Sequence, residues 1–239
     1  MKLDILVLAA HPDDAELGCG GTIASHVAMG YKVGVVDFTR GELGTRGTPE
    51  IRDQEAAASA KILGLSARVN LGLRDGFFQN TPEDQVKVIE AVRKFKPGIV
   101  LANAVNDRHP DHPKGAELAY DACFLAGLSK IETRDENGQL QEPWRPGVVY
   151  HYIQSEFVVP DLIVDISAYW EIKMKSIMAF GSQFYNASSR EPETYVSSQA
   201  FLKKLESRAI DFGHTISVKY GEGYTVRRFP GVTDLFHLR

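Results

Sequence analysis

Residues 5–16 have the sequence ILVLAAHPDDAE, in which an apolar run ends at one histidine and two adjacent carboxylates. The run contains β-branched residues and stops at Pro12, a combination that predicts a buried β-strand. We place this first strand at residues 3–10. The side chains of His11, Asp13 and Asp14 then follow its carboxyl end, which is where open α/β sheets bind their ligands.

A second stretch repeats this arrangement about a hundred residues later. Residues 99–104, IVLANA, predict a fourth strand, and residues 107–112, DRHPDH, follow it directly. If both strands are parallel members of one sheet, the two clusters of histidine and aspartate lie on the same face of the protein.

The alternation of strands and helices predicts an α/β fold with a doubly wound, mainly parallel, Rossmann-like sheet, formed by residues 1–239 as a single domain. We predict further strands at residues 32–38, 67–71, 148–153 and 161–166, with a closing strand or loop over 217–226. Residues 130–147 are expected to form a loop or hairpin. Helices are expected at 17–30, 49–63, 82–95, from Pro113 to Leu125, at 168–180 and at 192–212.

Composition restricts the partners and the compartment. The chain has 27 basic and 31 acidic residues, a net charge of −4, and no dense block of lysine and arginine, so we expect no nucleic-acid partner. No apolar stretch approaches the ~20 residues that span a bilayer, so we expect no membrane association. The two cysteines, Cys19 and Cys123, lie far apart, which suits a reducing compartment and a cytoplasmic protein.

The glycines at positions 18, 20 and 21 allow two interpretations. A glycine-rich helix start after a first strand can bind a dinucleotide, but the full spacing of that motif is missing here. The alternative is that the glycines let the helix pack closely against the sheet, or let the backbone approach a ligand.

The two clusters together contain the ligands of a metal site. Catalytic zinc sites use three protein ligands from histidine and carboxylate side chains and leave one position for water. His11, Asp14 and His112 satisfy that requirement. The alternative is that the histidines are ordinary loop residues and the paired aspartates are helix N-caps. The presence of two such clusters on one predicted face favours the metal site.

The remaining polar residues of the clusters then have chemical roles. Asp13 lies beside a ligand and can take a proton from the attacking water. His109 lies three residues before His112 and can point into the same cleft. Asp111 can hydrogen-bond to His109 and keep that ring oriented or protonated.

The segment after the second predicted strand suggests an anionic substrate. Residues 39–48 are rich in glycine and form a loop at the same edge of the sheet as His11. This loop and the following helix place Arg40, Arg46 and Arg52 near the mouth of the predicted site. Arg52 lies in the first turn of its helix, which is an unfavourable place for a cation unless an anion is near. The alternative is that Arg52 is a plain surface residue.

Residues 10–21, AHPDDAELGCGG, resemble the signature of the LmbE/PIG-L family of zinc-dependent N-deacetylases, and residues 107–112 resemble its second motif. The similarity extends over most of the chain and is weakest at 130–147. The segment 39–52 is similar to the bacillithiol-biosynthesis branch, whose members deacetylate N-acetylglucosaminyl-malate. The resemblance therefore implies a cytoplasmic hydrolase that acts on an N-acetylglucosaminyl substrate, and we expect it to form a homo-oligomer.

The resemblance also implies a role for each site residue. His11, Asp14 and His112 match the ligands of one Zn²⁺ per chain, although Fe²⁺ and Co²⁺ tolerate the same ligands. Asp13 matches the general base. His109 matches the residue that stabilises the tetrahedral intermediate or protonates the leaving amine, and Asp111 matches its partner. Arg52 matches a residue that binds the substrate. Tyr195 is the candidate that binds the oxyanion, with Tyr185 as the alternative tyrosine.

Three other functions remain open at this point. Two histidines and one carboxylate also describe non-haem Fe(II) oxygenases, in which Asp13 would have no obvious task. A Rossmann-type module that binds a sugar or nucleotide without catalysis is another alternative. The third is a deacetylase of a different N-acetyl amino sugar.

Overall fold

The computed structural model describes residues 1–237. In this range one seven-stranded sheet has the order β3-β2-β1-β4-β5-β7-β6. The strands are β1 Ile5–Ala9, β2 Val33–Asp37, β3 Ala67–Asn70, β4 Ile99–Ala102, β5 Val148–Tyr152, β6 Leu162–Asp165 and β7 Gly221–Val226. The helices are α1 Asp14–Ala28, α2 Pro49–Leu63, α3 Pro82–Phe95, α4 Asp111–Leu125, α5 Trp170–Met178 and α6 Gln199–Thr215, with 3₁₀ turns at Ser167–Tyr169 and Leu235–His237.

The doubly wound, mainly parallel sheet is confirmed. Strands β1 to β5 pair in parallel, whereas β7 runs antiparallel between β5 and β6. The strand order reverses between β1 and β4, because β2 and β3 extend to one side of β1 while β4 and β5 extend to the other. Leu8 pairs with both Val36 and Ala102, so the strands end at a common edge. A ligand crevice is expected at this reversal point.

The apolar run that predicted β1 is buried on both faces, as expected for a central parallel strand. Leu6 and Leu8 belong to the apolar cluster on the α3 and α4 side, whereas Ile5 and Val7 belong to the cluster on the α1 side. This alternation follows from the two-residue repeat of a strand. Burial of all five residues fixes the position at which β1 ends, and hence the position of His11.

Local capping signals set several helix boundaries. Helix α2 begins at Pro49 because the Thr48 side chain accepts a hydrogen bond from the Ile51 N–H, and it ends at Gly64, which adopts a left-handed conformation. The predicted bounds of α2 and α3 are confirmed.

Three predicted helix starts are wrong. Helix α1 begins at Asp14 and not at 17, and α4 begins at Asp111 and not at Pro113. Helix α6 begins after Ser198, whose side chain caps the Phe201 N–H, and not at residue 192. The preceding segment forms a separate turn, in which the Thr194 N–H donates to the Ser197 hydroxyl.

The glycines of α1 pack against protein. A Cβ atom on Gly18 would lie 2.2 Å from the Tyr152 ring, and one on Gly21 would lie 2.7 Å from the Ile166 side chain. Both positions therefore need glycine for close approach of α1 to the layer beneath it. This contact favours the packing interpretation over the dinucleotide interpretation.

Residues 130–147 form the expected loop, with one antiparallel bridge between Arg134 and Leu140. The buried guanidinium of Arg93 holds the start of this loop, because it donates to the carbonyls of Leu128 and Ile131 and to the Thr133 hydroxyl. Among the described residues, no helix combines the length and the apolar character needed to cross a bilayer.

Candidate active site

The two sequence clusters meet at the reversal point of the sheet. The side chains of His11, Asp13 and Asp14, which follow β1, lie beside those of His109 and His112, which follow β4. All five line one cavity of about 270 Å³. The structure therefore brings the predicted residues together in a single concave site.

The backbone at Asp13 turns sharply between β1 and α1. Asp13 has φ = 124°, a conformation that non-glycine residues rarely adopt. Such backbone strain is found preferentially at functional sites. The turn directs both carboxylates into the cavity and allows the His11 N–H to donate to Asp14 Oδ2 over 3.0 Å.

The carboxylate of Asp14 lies between two imidazole rings. Its Oδ1 is 3.1 Å from Nε2 of His112, and its Oδ2 is 3.4 Å from Nδ1 of His11. Donor atoms in tetrahedral zinc sites are about 3.3 Å apart, because each zinc bond is about 2.0–2.1 Å long. The two distances from Asp14 and the chemistry of the three side chains are compatible with a shared zinc ion.

The outer nitrogen of each ring faces carboxylates. Nδ1 of His112 hydrogen-bonds to Asp107, while Nε2 of His11 lies 3.2 Å from both Asp75 and Asp111. Carboxylates in this position orient metal-binding histidines and raise their basicity. The expected partner of Asp111 was therefore wrong. Its carboxylate also accepts from the Gly76 N–H and lies against His11, whereas the His109 ring accepts the Asp111 backbone N–H at Nδ1.

Other combinations of these side chains could also hold an ion. Among residues 1–237, two sets of three have donor atoms that all lie within 4.8 Å of one another, and the predicted set of His11, Asp14 and His112 is not one of them. One is His11, His109 and His112, and the other is His11, Asp75 and Asp111. Both sets share His11, so they mark one region and not two separate sites.

The electrostatics of the site favour a bound cation. Burial lowers the pKa of His112, but the carboxylates of Asp14 and Asp107 outweigh this effect and raise that pKa to about 9. Burial also lowers the pKa of His11, yet hydrogen bonds to carboxylates, Asp111 foremost, hold it well above its usual value. Burial raises the pKa of Asp14, but the charge of His112 keeps it well below its ordinary range.

Two amide side chains that the sequence interpretation missed hold Asp14 in place. Asn103 donates to Asp14 Oδ2 over 3.0 Å, and Gln154 donates to Asp14 Oδ1 over 2.8 Å. Asn103 follows β4, and Gln154 follows β5. Asp75 and Asp107, which were also assigned no role, lie in loops after β3 and β4. All four residues follow a strand at the same edge of the sheet. That position in the sequence is the signal that could have identified them as site residues.

Arg52 contacts the predicted general base. Its Nη2 donates to Asp13 Oδ2 over 2.8 Å and to the Pro12 carbonyl over 3.2 Å, while its buried Nε has no partner. Burial raises the pKa of Asp13 to about 7 against the opposing charge of Arg52. A divalent cation at Asp14 would lower that pKa. Arg52 lines the cavity, and its role in substrate binding stays a prediction.

The two arginines of the loop, Arg40 and Arg46, are paired with acidic side chains. The Arg40 guanidinium pairs with Asp53 over 2.5 Å and also contacts Glu50. The Arg46 guanidinium contacts Glu191 over 3.4 Å. Acidic side chains neutralise both, and in the described residues the cavity wall contains Arg52 but neither of these two arginines.

His109 faces the cavity beside both candidate ligands. Its ring centroid is 4.7 Å from that of His11 and 5.0 Å from that of His112. Burial, with repulsion from the other two imidazoles, lowers the pKa of His109. Because Nδ1 accepts the Asp111 N–H, the neutral ring carries its proton on Nε2 and can donate from there.

Of the two candidate tyrosines, the structure places Tyr195 in the wall of the cavity. Its hydroxyl accepts a hydrogen bond from Lys204 over 2.9 Å, and the Arg108 guanidinium lies 4.2 Å from its ring centroid. Within the described residues, Tyr185 is not part of that wall. The oxyanion role of Tyr195 stays a prediction.

We expect Asp107→Asn to weaken metal binding by about 10- to 100-fold, the usual effect of removing a carboxylate that orients a ligand histidine. The neutral amide accepts a weaker hydrogen bond from His112 and no longer raises the basicity of its ring. Competition with a chelator would measure the change. Asp121→Asn is a suitable control, because Asp121 lies on α4 and contacts Asn80 outside the cavity. Equal affinity in the Asp107 variant and the wild type would contradict the orienting role.

Comparisons with known proteins find relatives over most of the chain. Residues 6–123 match the family model described as PIG-L, GlcNAc-PI de-N-acetylase. The solved structure of the conserved protein TT1542 from Thermus thermophilus is 36% identical, with a TM-score of 0.85 over 97% of both chains. A diacetylchitobiose deacetylase from Thermococcus kodakarensis is 29% identical over 95% of this chain and 84% of its own length.

Two further relatives are named for a different substrate or a different reaction. A probable N-acetyl-alpha-D-glucosaminyl L-malate deacetylase 2 from Bacillus subtilis is 27% identical over 77% of this chain and 84% of its own length. A 4-oxalmesaconate hydratase from Pseudomonas putida is 25% identical over 96% of this chain and 90% of its own length. The family match includes β1, β4 and the residues that follow them, and the similarity to TT1542 extends over nearly the whole chain. The chain therefore belongs to the PIG-L/LmbE family of deacetylases.

Proposed function

We propose that this chain is a zinc-dependent hydrolase that removes the acetyl group from an N-acetylglucosaminyl substrate. The observation that carries the proposal is the Asp14 carboxylate between the His11 and His112 rings, with Asp13 beside it in the same cavity. N-acetylglucosaminyl-malate, as used in bacillithiol biosynthesis, is the substrate we propose. We also propose a single catalytic domain, since the sheet is continuous from β3 to β6.

Each residue has a defined task in this proposal. Zinc held by His11, Asp14 and His112 would supply a Lewis acid at the scissile amide. Asp13, held by Arg52, accepts the proton of the attacking water. His109, neutral and protonated on Nε2, donates a hydrogen bond to the developing oxyanion, and the proton that Asp13 has taken from the water passes to the leaving amine as the C–N bond breaks.

The choice of malate rests on the Bacillus subtilis relative and on the charge of the cavity wall. Arg52, Arg108, Lys204 and Arg208 all line the cavity, although the whole chain is acidic. Bidentate contact with a carboxylate is a common use of arginine. Another N-acetyl amino sugar is the alternative substrate, because the Thermococcus kodakarensis relative is named for diacetylchitobiose.

Hydration of a carbon–carbon double bond is the second candidate reaction, because the Pseudomonas putida relative is named a hydratase. Like amide hydrolysis, this reaction begins with activation of a water molecule. Release of acetate distinguishes the two reactions.

The test is acetate release from N-acetylglucosaminyl-malate, diacetylchitobiose and N-acetylglucosamine, with metal analysis of the same preparation. We expect zinc-dependent release, fastest with the malate substrate, abolished by a chelator and unchanged under strict anaerobiosis. A requirement for oxygen would instead indicate a non-haem Fe(II) oxygenase. Tight binding without acetate release, unaffected by a chelator, would indicate a binding module.

A further inference from the structure

The guanidinium of Arg208 has no partner in the described part of the chain. It lies on α6 and lines the cavity, yet it forms no hydrogen bond or ion pair with any of residues 1–237. Burial lowers its pKa to about 10, which still leaves it charged at neutral pH. Arg208 is half-buried, and the carboxylates of Asp107 and Glu222 stabilise its charge without forming an ion pair with it, so its N–H donors stay available to an external anion.

The other cations of the cavity are already engaged. Arg52 pairs with Asp13, Arg108 stacks on the Tyr195 ring, and the Lys204 ammonium donates to the Tyr195 hydroxyl. That contact leaves two further donors on the Lys204 ammonium, which lies one helical turn before Arg208. The two side chains therefore form a basic pair with unused donors on the α6 wall.

This basic pair lies where the cavity meets a second groove. Lys204, Arg208 and Ser155 line both the cavity and an adjoining groove of about 450 Å³. The remaining wall of the groove contains two acidic, two aromatic and one small polar residue: Glu156, Asp211, Phe157, Phe212 and Ser207. A substrate with its acetamido group beside His11 can extend past the basic pair into this groove.

We propose that Arg208 and Lys204 bind a carboxylate on the aglycone of the substrate, so that the enzyme selects N-acetylglucosaminides with an anionic aglycone. This inference rests on the proposed deacetylase function. A guanidinium presents paired donors that match a carboxylate, while an ammonium adds a point charge. The sequence suggested Arg40, Arg46 and Arg52 for an anionic group of the substrate, and the basic pair on α6 adds two cavity-lining cations to that set.

The first experiment measures substrate selectivity. For wild type and Arg208→Gln, kcat/KM would be determined for N-acetylglucosaminyl-malate and for the neutral methyl N-acetylglucosaminide. We expect the ratio of the two values to fall by about 10-fold or more in Arg208→Gln, because a charge-assisted bidentate contact is lost. Lys203→Gln is the matched control, since it removes the same charge from an exposed position on α6 outside the cavity. A ratio within twofold of wild type in Arg208→Gln, or an equal fall in Lys203→Gln, would overturn the inference.

A second variant and a binding measurement make the test independent of turnover and of misfolding. Arg208→Lys keeps the charge, so it should recover part of the lost selectivity. Calorimetry with the amine products, glucosaminyl-malate and methyl glucosaminide, should show that only the malate product binds more weakly to Arg208→Gln. If wild type releases acetate from both substrates, and Arg208→Gln binds both products as tightly as wild type does, the inference fails and the deacetylase function stands. If wild type releases no acetate yet binds the malate product through Arg208, the proposed function fails and the anion site stands.

Discussion

Replacing His112 with alanine is expected to remove the bound metal and to abolish acetate release. The His112 ring supplies one of the three proposed ligand atoms, and its Nε2 lies 3.1 Å from Asp14 Oδ1. Two protein ligands are too few for a catalytic zinc site, which normally has three. The sheet should still fold, because His112 lies at its edge and outside the three apolar clusters. Elemental analysis, circular dichroism and acetate release measure these three outcomes.

His214→Ala is the matched control for this prediction. His214 is exposed in the last turn of α6, so its removal should change neither metal content nor turnover. A His112→Ala protein with full metal content would remove His112 from the ligand set. The alternative ligands would then be Asp75 and Asp111, which with His11 form the other group of converging donors.

Much of the site could be predicted because two local signals agreed. The buried run Ile5–Ala9 had to be a central strand, and the same pattern recurred at Ile99–Ala102. Parallel pairing of two such strands brings their carboxyl ends together, whatever the chain does between them. His11 and His112 could therefore be placed in one cleft from the sequence.

The partners of these histidines could not be predicted by sequence proximity. Asp111 lies two residues from His109, but the first turn of α4 directs its carboxylate to His11. Asp75 comes from the loop after β3, and Gln154 comes from the loop after β5. Which of several polar loop residues reaches the centre depends on loop conformation, for which the sequence has no periodic signal.

Two of the three arginines that the sequence placed near the site are absent from the cavity wall for a related reason. Arg40 and Arg46 are close to the site in sequence, yet each has an acidic partner. The Arg46 partner, Glu191, lies 145 residues away in the chain, so no local pattern could anticipate the pair. Conversely, Arg208 was overlooked because the sequence does not show which side of the last helix faces the cavity.

Asp13→Asn is expected to lower turnover by about 10²- to 10⁴-fold, the usual contribution of a general base. Asparagine keeps the shape of the side chain and tolerates positive φ better than most residues, so the turn at φ = 124° should persist. Its amide oxygen can still accept the hydrogen bond from Arg52. The change removes only the ability to take a proton from water, so metal and substrate should remain bound.

The neighbouring variant Asp14→Asn serves as the comparison, because the two residues have the same side chain and different proposed tasks. Asp14 lies between the two imidazoles, so loss of its charge should lower metal affinity, and added metal should partly restore activity. Asp13 faces Arg52 and should show no such rescue. Metal content, substrate affinity and turnover would be measured for both proteins. Loss of metal from Asp13→Asn with retention by Asp14→Asn would exchange the two assignments, and unchanged turnover in both would refute the hydrolase mechanism.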